Sequence, residues 1–112
     1  MEKFLLFTSG GGSTDIMNWS RDDAALYPVS KFIGIRPAGT NSVELYFEGS
    51  DKVTLNIKNN SHVRVMTVIG TTIATSTQPV IVIADVDNSR FITKEIYDCT
   101  IHGYTYYHPA AL

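Results

Sequence analysis

Residues 42–58 read S-V-E-L-Y-F-E, then G-S-D, then K-V-T-L-N-I-K. Val43, Leu45 and Phe47 alternate with Glu44, Tyr46 and Glu48. Val53, Leu55 and Ile57 alternate with Lys52, Thr54, Asn56 and Lys58. A period of two sends each apolar set to one face of a strand. A hairpin must place both sets on the same face. A two-residue loop, Gly49-Ser50, would set Phe47 against Lys52 and split the faces. A three-residue loop, Gly49-Ser50-Asp51, sets Phe47 against Val53, Leu45 against Leu55 and Val43 against Ile57. It also pairs Glu48 with Lys52. Burying side chains of this kind contributes roughly 1.5–3 kcal/mol each before ordering entropy is counted. An isolated hairpin is marginal in water, so this face requires other elements to pack on it.

The full chain of 112 residues reads as a single domain over 1–112 with a modest core. A formal net charge of -2 argues against a strongly basic nucleic-acid binder and leaves room for a local basic patch. Cys99 is the only cysteine, so no intrachain disulfide forms and a reducing compartment such as a bacterial cytosol fits. The apolar run near the N-terminus is too short for a signal peptide. No stretch approaches a membrane span, so no membrane partner is expected.

In chain order, residues 3–8 form an apolar run of strand length. S-G-G-G-S at 9–13 is a loop without the Lys-Ser/Thr of a phosphate-binding P-loop. Residues 16–19 have the length of a second short strand, and 21–26 read as a turn or a single helical turn before Pro28. Residues 29–36 form the next strand, with Val29, Ile33 and Ile35 on one face beside Lys31, and with Gly34 marking a bend. Together with the hairpin, 29–58 becomes a three-stranded antiparallel meander. Asn59, Asn60 and Ser61 then offer helix N-caps. The segment 61–76 satisfies two patterns. His62, Val65, Met66, Ile69 and Ile73 form a helical stripe, whereas its many Val, Ile and Thr residues favour two strands broken at Gly70. One helix near 61–76 is the preferred reading, since an unbroken strand of that length is far beyond the usual ~5–6 residues. Residues 79–84 (P-V-I-V-I-A) read as a buried strand. Asp87-Asn88-Ser89 is a turn, and 91–101 is a strand antiparallel to the previous one. The short tail at 102–112, with three tyrosines and two histidines, is either mobile or docked on a neighbouring subunit.

The chemistry-bearing residues form no catalytic pattern. His62, His102 and His108 have no cysteine at ligand spacing, so neither a metal nor a cofactor is expected. Asp85 and Asp87 lie at a turn, where aspartate makes local hydrogen bonds. Cys99 sits in an apolar strand as a buried, inert thiol. There is no G-x-S-x-G elbow. The chain reads as a non-enzyme, and binding is the class that remains. Small bent sheets bind single strands with exposed aromatics and basic residues. The candidates are Tyr46, Lys52 and Lys58 on the hairpin, Arg36 at its entry, and Asn88 and Arg90 at the last turn. Glu44 and Glu48 flank Tyr46 and repel phosphate. Arg36, Lys58, Asn88 and Arg90 are therefore the preferred nucleic-acid contacts.

The segments V-S-K-F-I-G-I, S-V-E-L-Y-F-E-G-S-D-K-V-T-L-N-I-K and P-V-I-V-I-A-D-V, in this order, resemble a family of small ocean-metagenome proteins of marine-cyanophage type with an Sm-like fold. The resemblance covers roughly residues 29–101. It implies a small, strongly bent, five-stranded Sm-like antiparallel sheet or barrel, and a homo-oligomeric ring, with pentamers among the forms. Of the two RNA-binding motifs of Sm-type proteins, only the placement of Asn88 and Arg90 is matched. Open sheet edges give an independent reason to oligomerise. The expected function is that of a ring-forming, phage-type protein with single-stranded RNA or DNA as its candidate ligand. Its expected location is the cytoplasm of an infected bacterial host, or a virion. The alternative is a structural or assembly protein of a virion that binds no nucleic acid.

Overall fold

The computed structural model describes residues 2–9 and 24–102. The expected strand at 16–19, most of the glycine-rich loop and the tail after His102 lie outside the described residues. In chain order the elements are β1 (Phe4–Thr8), β2 (Ala24–Pro28), a 3-10 turn (Val29–Lys31), β3 (Phe32–Pro37), β4 (Ser42–Phe47), β5 (Lys52–Ile57), α1 (His62–Thr75), β6 (Val80–Asp85), a second 3-10 turn (Val86–Asn88), β7 (Arg90–Phe91) and β8 (Ile96–His102). The strands form two four-stranded sheets, ordered β2-β1-β6-β7 and β3-β4-β5-β8. Among the described residues the fold is mainly β with one α-helix. It differs from the expected single five-stranded sheet because the apolar run at the N-terminus becomes a central strand. Leu5 and Phe7 of β1 are fully buried, and β1 holds β2 on one side and β6 on the other.

The meander β3-β4-β5 is antiparallel throughout, as the alternation predicts. Its hairpin register differs by two residues from the expected one. Leu45 faces Val53 and Val43 faces Leu55. The Phe47 N–H donates to the Asp51 carbonyl at 2.9 Å, so the loop is Glu48-Gly49-Ser50. A shift of two leaves every side chain on its own face, so alternation cannot choose between the two registers. Asp51 distinguishes them: it is 1% exposed and accepts a 2.8 Å hydrogen bond from the Tyr27 hydroxyl. Gly49 and Ser50 turn the chain with φ of 89° and 75°. The expected Glu48–Lys52 pair is replaced by Lys31–Glu48 and Lys52–Glu44, each at 3.2 Å.

Residues 24–37 serve both sheets. The expected turn over 21–26 gives way, from Ala24 onward, to β2, whose Tyr27 is buried. At the corner, the Val29 N–H donates to Lys3 O and the Glu48 N–H to Lys31 O, each at 2.9 Å. Both ladders thus run up to the 3-10 turn, where the chain bends from one sheet into the other. The strand expected at 29–36 starts at Phe32 for this reason. A register shift between Phe32 and Gly34 marks the bend predicted at Gly34. It directs Phe32 and Ile35 towards the core and leaves Ile33 66% exposed, which breaks the expected face of Val29, Ile33 and Ile35. Tyr27 stacks on Phe47 at 4.1 Å between ring centroids, and Phe7 meets both rings edge-on. These contacts join β1, β2 and β4 across the two sheets.

Residues 61–76 take the helical reading. Val65 and Ile69 are fully buried, and Met66 and Ile73 pack against the core. The Ser61 hydroxyl donates to Lys58 O at 2.6 Å and makes no cap bond to the helix. Lys3 Nζ donates to the Ile73 carbonyl at 2.9 Å and satisfies one of the free C-terminal carbonyls. The strand expected over 91–101 is broken. β7 has two residues paired with β6, and β8 crosses to lie antiparallel to β5. Buried Thr93 and Glu95 hold the crossing: the Thr93 hydroxyl and, at 3.3 Å, Arg64 Nε both donate to Glu95 Oε1.

Candidate nucleic-acid interface

The two sheets turn opposite kinds of surface away from the core. In β3-β4-β5-β8 the inward residues are Val43, Leu45, Phe47, Val53, Leu55, Cys99 and Ile101, all buried. Alternation then sends polar residues outward in cross-strand rows. One row is Arg36, Glu44, Thr54 and Thr100; the next is Gly34, Tyr46, Lys52 and His102. Arg36 Nε donates to the Tyr46 hydroxyl at 3.4 Å, and its guanidinium carbon lies 5.2 Å from the ring centroid, a cation–π contact. The Tyr46 hydroxyl donates to Glu44 Oε1, and Lys52 Nζ to Glu44 Oε2 at 3.2 Å. The Tyr46 hydrogen bond holds the Glu44 carboxyl below its usual pKa of 4.5. Burial opposes it, and the Lys52 and Arg36 charges add to it. Glu44 is thus an ionised carboxylate flanked by two cations, which weakens the repulsion expected of it.

Beside this network lies a shallow, open groove of about 470 Å3 lined by Ile33, Gly34, Ile35, Arg36 and Tyr46. Its floor at Gly34 is bare. Apart from its two chain neighbours, a Cβ placed there would meet no heavy atom within 4 Å.

The four preferred candidates do not share one surface. Arg36 is the penultimate residue of β3, and Lys58 follows β5. The two strands run the same way, so both residues stand at one end of the meander, exposed. The Lys58 backbone N–H donates to Glu95 O at 3.0 Å. Asn88 and Arg90 belong to the β6–β7 connection of the other sheet. There Asp85, 4% exposed, accepts from Thr8 Oγ1 at 2.8 Å and from Asn88 Nδ2 at 2.9 Å. Burial pushes the Asp85 carboxyl up, but the Asn88 and Thr8 hydrogen bonds and the Arg90 charge outweigh it and hold the pKa below 3.8. The Asn88 amide is therefore engaged in fixing its own turn. Arg36 is joined instead to Tyr46 and, through Glu44, to Lys52.

The outer surface of β2-β1-β6 is apolar. Phe4 lies opposite Pro28 and Val80, and Leu6 lies opposite Leu26 and Val82. Leu26 is 50% and Val80 41% exposed. No charged residue occupies either row. Elsewhere the Cys99 thiol is pushed up to about 12, by burial first and by the neighbouring Asp98 carboxylate second, which makes it a poor nucleophile. Among the described residues no group of three or more His, Cys, Asp or Glu is placed to hold a metal ion. No described helix is long and apolar enough to cross a membrane.

Two features escape a reading of the sequence. Gly34 signals a bend, but nothing local tells that the space above it is open. The apolar surface does leave a trace. Leu5 and Phe7 alternate with Phe4 and Leu6, so both faces of β1 are apolar, and Val80 and Val82 extend that pattern in β6. Such runs read as strands buried on both faces, whereas here one face is half-open. Comparison with protein-family models, curated proteins and solved structures found no match to this chain.

Proposed function

We propose that the protein is a non-enzymatic, self-assembling module that presents its polar sheet to single-stranded RNA or DNA. The apolar outer surface of β2-β1-β6 carries the assembly part. Phe4, Leu6, Leu26, Pro28, Val80 and Val82 form two uncharged rows across three strands. A contiguous apolar patch marks an interaction surface. A second copy is the partner it fits, because an uncharged patch is complementary to itself and needs no matching charges. The Sm-like resemblance gives this proposal its specific form, a closed ring in a phage-infected bacterial cytoplasm or a virion. β3 and β8, each paired on one side only among the described residues, are the edges through which such a ring would continue.

The ligand part rests on the opposite sheet, where Arg36, Lys52 and Lys58 supply positive charge and Tyr46 an aromatic ring. Sedimentation of the full chain and of Leu26→Lys, with and without a labelled single-stranded oligonucleotide, tests both parts. Leu26 stands half-exposed on an edge strand, where lysine is tolerated. The expected result is a wild-type oligomer, a dissociated variant of unchanged circular dichroism, and an oligonucleotide affinity that falls with added salt. A wild-type monomer would remove the assembly reading. Absence of binding at low salt would remove the ligand reading and leave the virion structural role.

A further inference from the structure

We infer that the groove over Gly34 is a subsite for one nucleobase of the bound strand, with Arg36 and Tyr46 as its positioning side chains. The inference rests on the ligand reading above and gives it a defined place on the sheet. Three properties of the groove point to a flat, aromatic, anionic unit. The floor is backbone: Gly34 stands in the row with Tyr46 and Lys52, and where its neighbours carry side chains it leaves open space. The walls are apolar or aromatic, from exposed Ile33 and the Tyr46 ring. The rim is cationic, with the Arg36 guanidinium held over the Tyr46 ring. A guanidinium fixed on a tyrosine already forms one layer of a stack, and planar bases stack on arginine and aromatic planes alike. Glu44, the carboxylate in contact with this pair, is flanked by Lys52 and Arg36, so the rim keeps net positive charge for the phosphate that follows the base. Ile33 is 66% exposed although it is a large aliphatic residue, and a base in the groove would cover it.

The ligand chemistry, a base with its phosphate, can come from a strand or from a free mononucleotide. The test measures binding of the full-length protein at low salt to three probes: a short oligothymidylate, the same strand with abasic sites, and thymidine monophosphate. It compares wild type with Gly34→Val and Arg36→Met. Valine fills the floor, suits a strand, and has room for its Cβ. A thermal melt confirms that each variant is folded. Oligothymidylate should bind wild type at least ten-fold more tightly than either variant, and at least ten-fold more tightly than the abasic strand. Saturable binding of the mononucleotide, lost in Gly34→Val, also supports the subsite and identifies a free nucleotide as a ligand. Equal affinity of wild type and Gly34→Val for oligothymidylate overturns the subsite while the ligand reading stands. Equal affinity for normal and abasic strands does the same. No binding of any probe overturns both.

Discussion

Single carboxylates hold several of the joints of this molecule. Asp85 ties Thr8 of β1 to Asn88 of the β6–β7 turn from a buried position. Replacing it with asparagine removes the charge and one acceptor while keeping the shape. Asp85→Asn is expected to lose about 1.5–3 kcal/mol of stability, the range for hydrogen bonds to a charged group, measured by urea unfolding at neutral pH. Glu44, Asp85 and Glu95 all titrate below their usual values in the folded chain; for Glu95 the Thr93 hydroxyl is the main cause. A folded pKa below the unfolded one adds stability that is complete above the unfolded value and is lost as pH falls through the folded value. The stability these groups supply is therefore present above pH 4.5, the higher of the two usual values, and fades in acid. Thermal midpoints should fall on acidification below that point, and Asp85→Asn should show a shallower acid decline than wild type. An equal slope would place the acid sensitivity elsewhere.

At the scale of elements, α1 shows tertiary packing overriding propensity. Ten of its residues are Val, Ile, Thr or Gly, poor helix formers. The helix forms because Val65, Ile69, Met66 and Ile73 fall on one stripe against the sheets. Gly70 is exposed and faces open space, so Gly70→Ala should raise stability by roughly 0.5–1 kcal/mol. Ile69→Ala should cost about 2–5 kcal/mol. Thermal melts of the two variants check both signs. The stripe was legible in the sequence, as were the meander, the bend at Gly34 and the turn before β7, because each is written in local period or turn chemistry. The hairpin register was not, because shifts of two residues preserve every face and the choice depends on Tyr27 reaching Asp51 from 24 residues away. The break after Phe91 was hidden for the same kind of reason. It is fixed by Arg64 and Thr93 meeting at Glu95, contacts no periodicity encodes. At the candidate site Tyr46 and Lys52 could be named from alternation and Arg36 from its place at the hairpin's entry, whereas their assembly around Glu44 required the observed register. Asn88 and Arg90, named from their turn, stand in a different sheet from Arg36.

At the scale of the molecule, the two sheets divide the surface. One outward face carries Arg36, Glu44, Tyr46, Lys52 and Thr54 and is suited to water and a charged ligand. The other carries Phe4, Leu6, Leu26 and Val80. That division is the physical basis for assigning ligand to one side and assembly to the other. It also predicts that a polar change on the apolar side, such as Leu26→Lys, alters assembly without altering the groove at Gly34. The most direct test of the assembly claim is the native mass of the full wild-type chain across a range of micromolar concentrations. A single closed species of defined stoichiometry above the monomer is predicted, shifting to monomer in Leu26→Lys. A monomer at every concentration, indistinguishable from the variant, would contradict it.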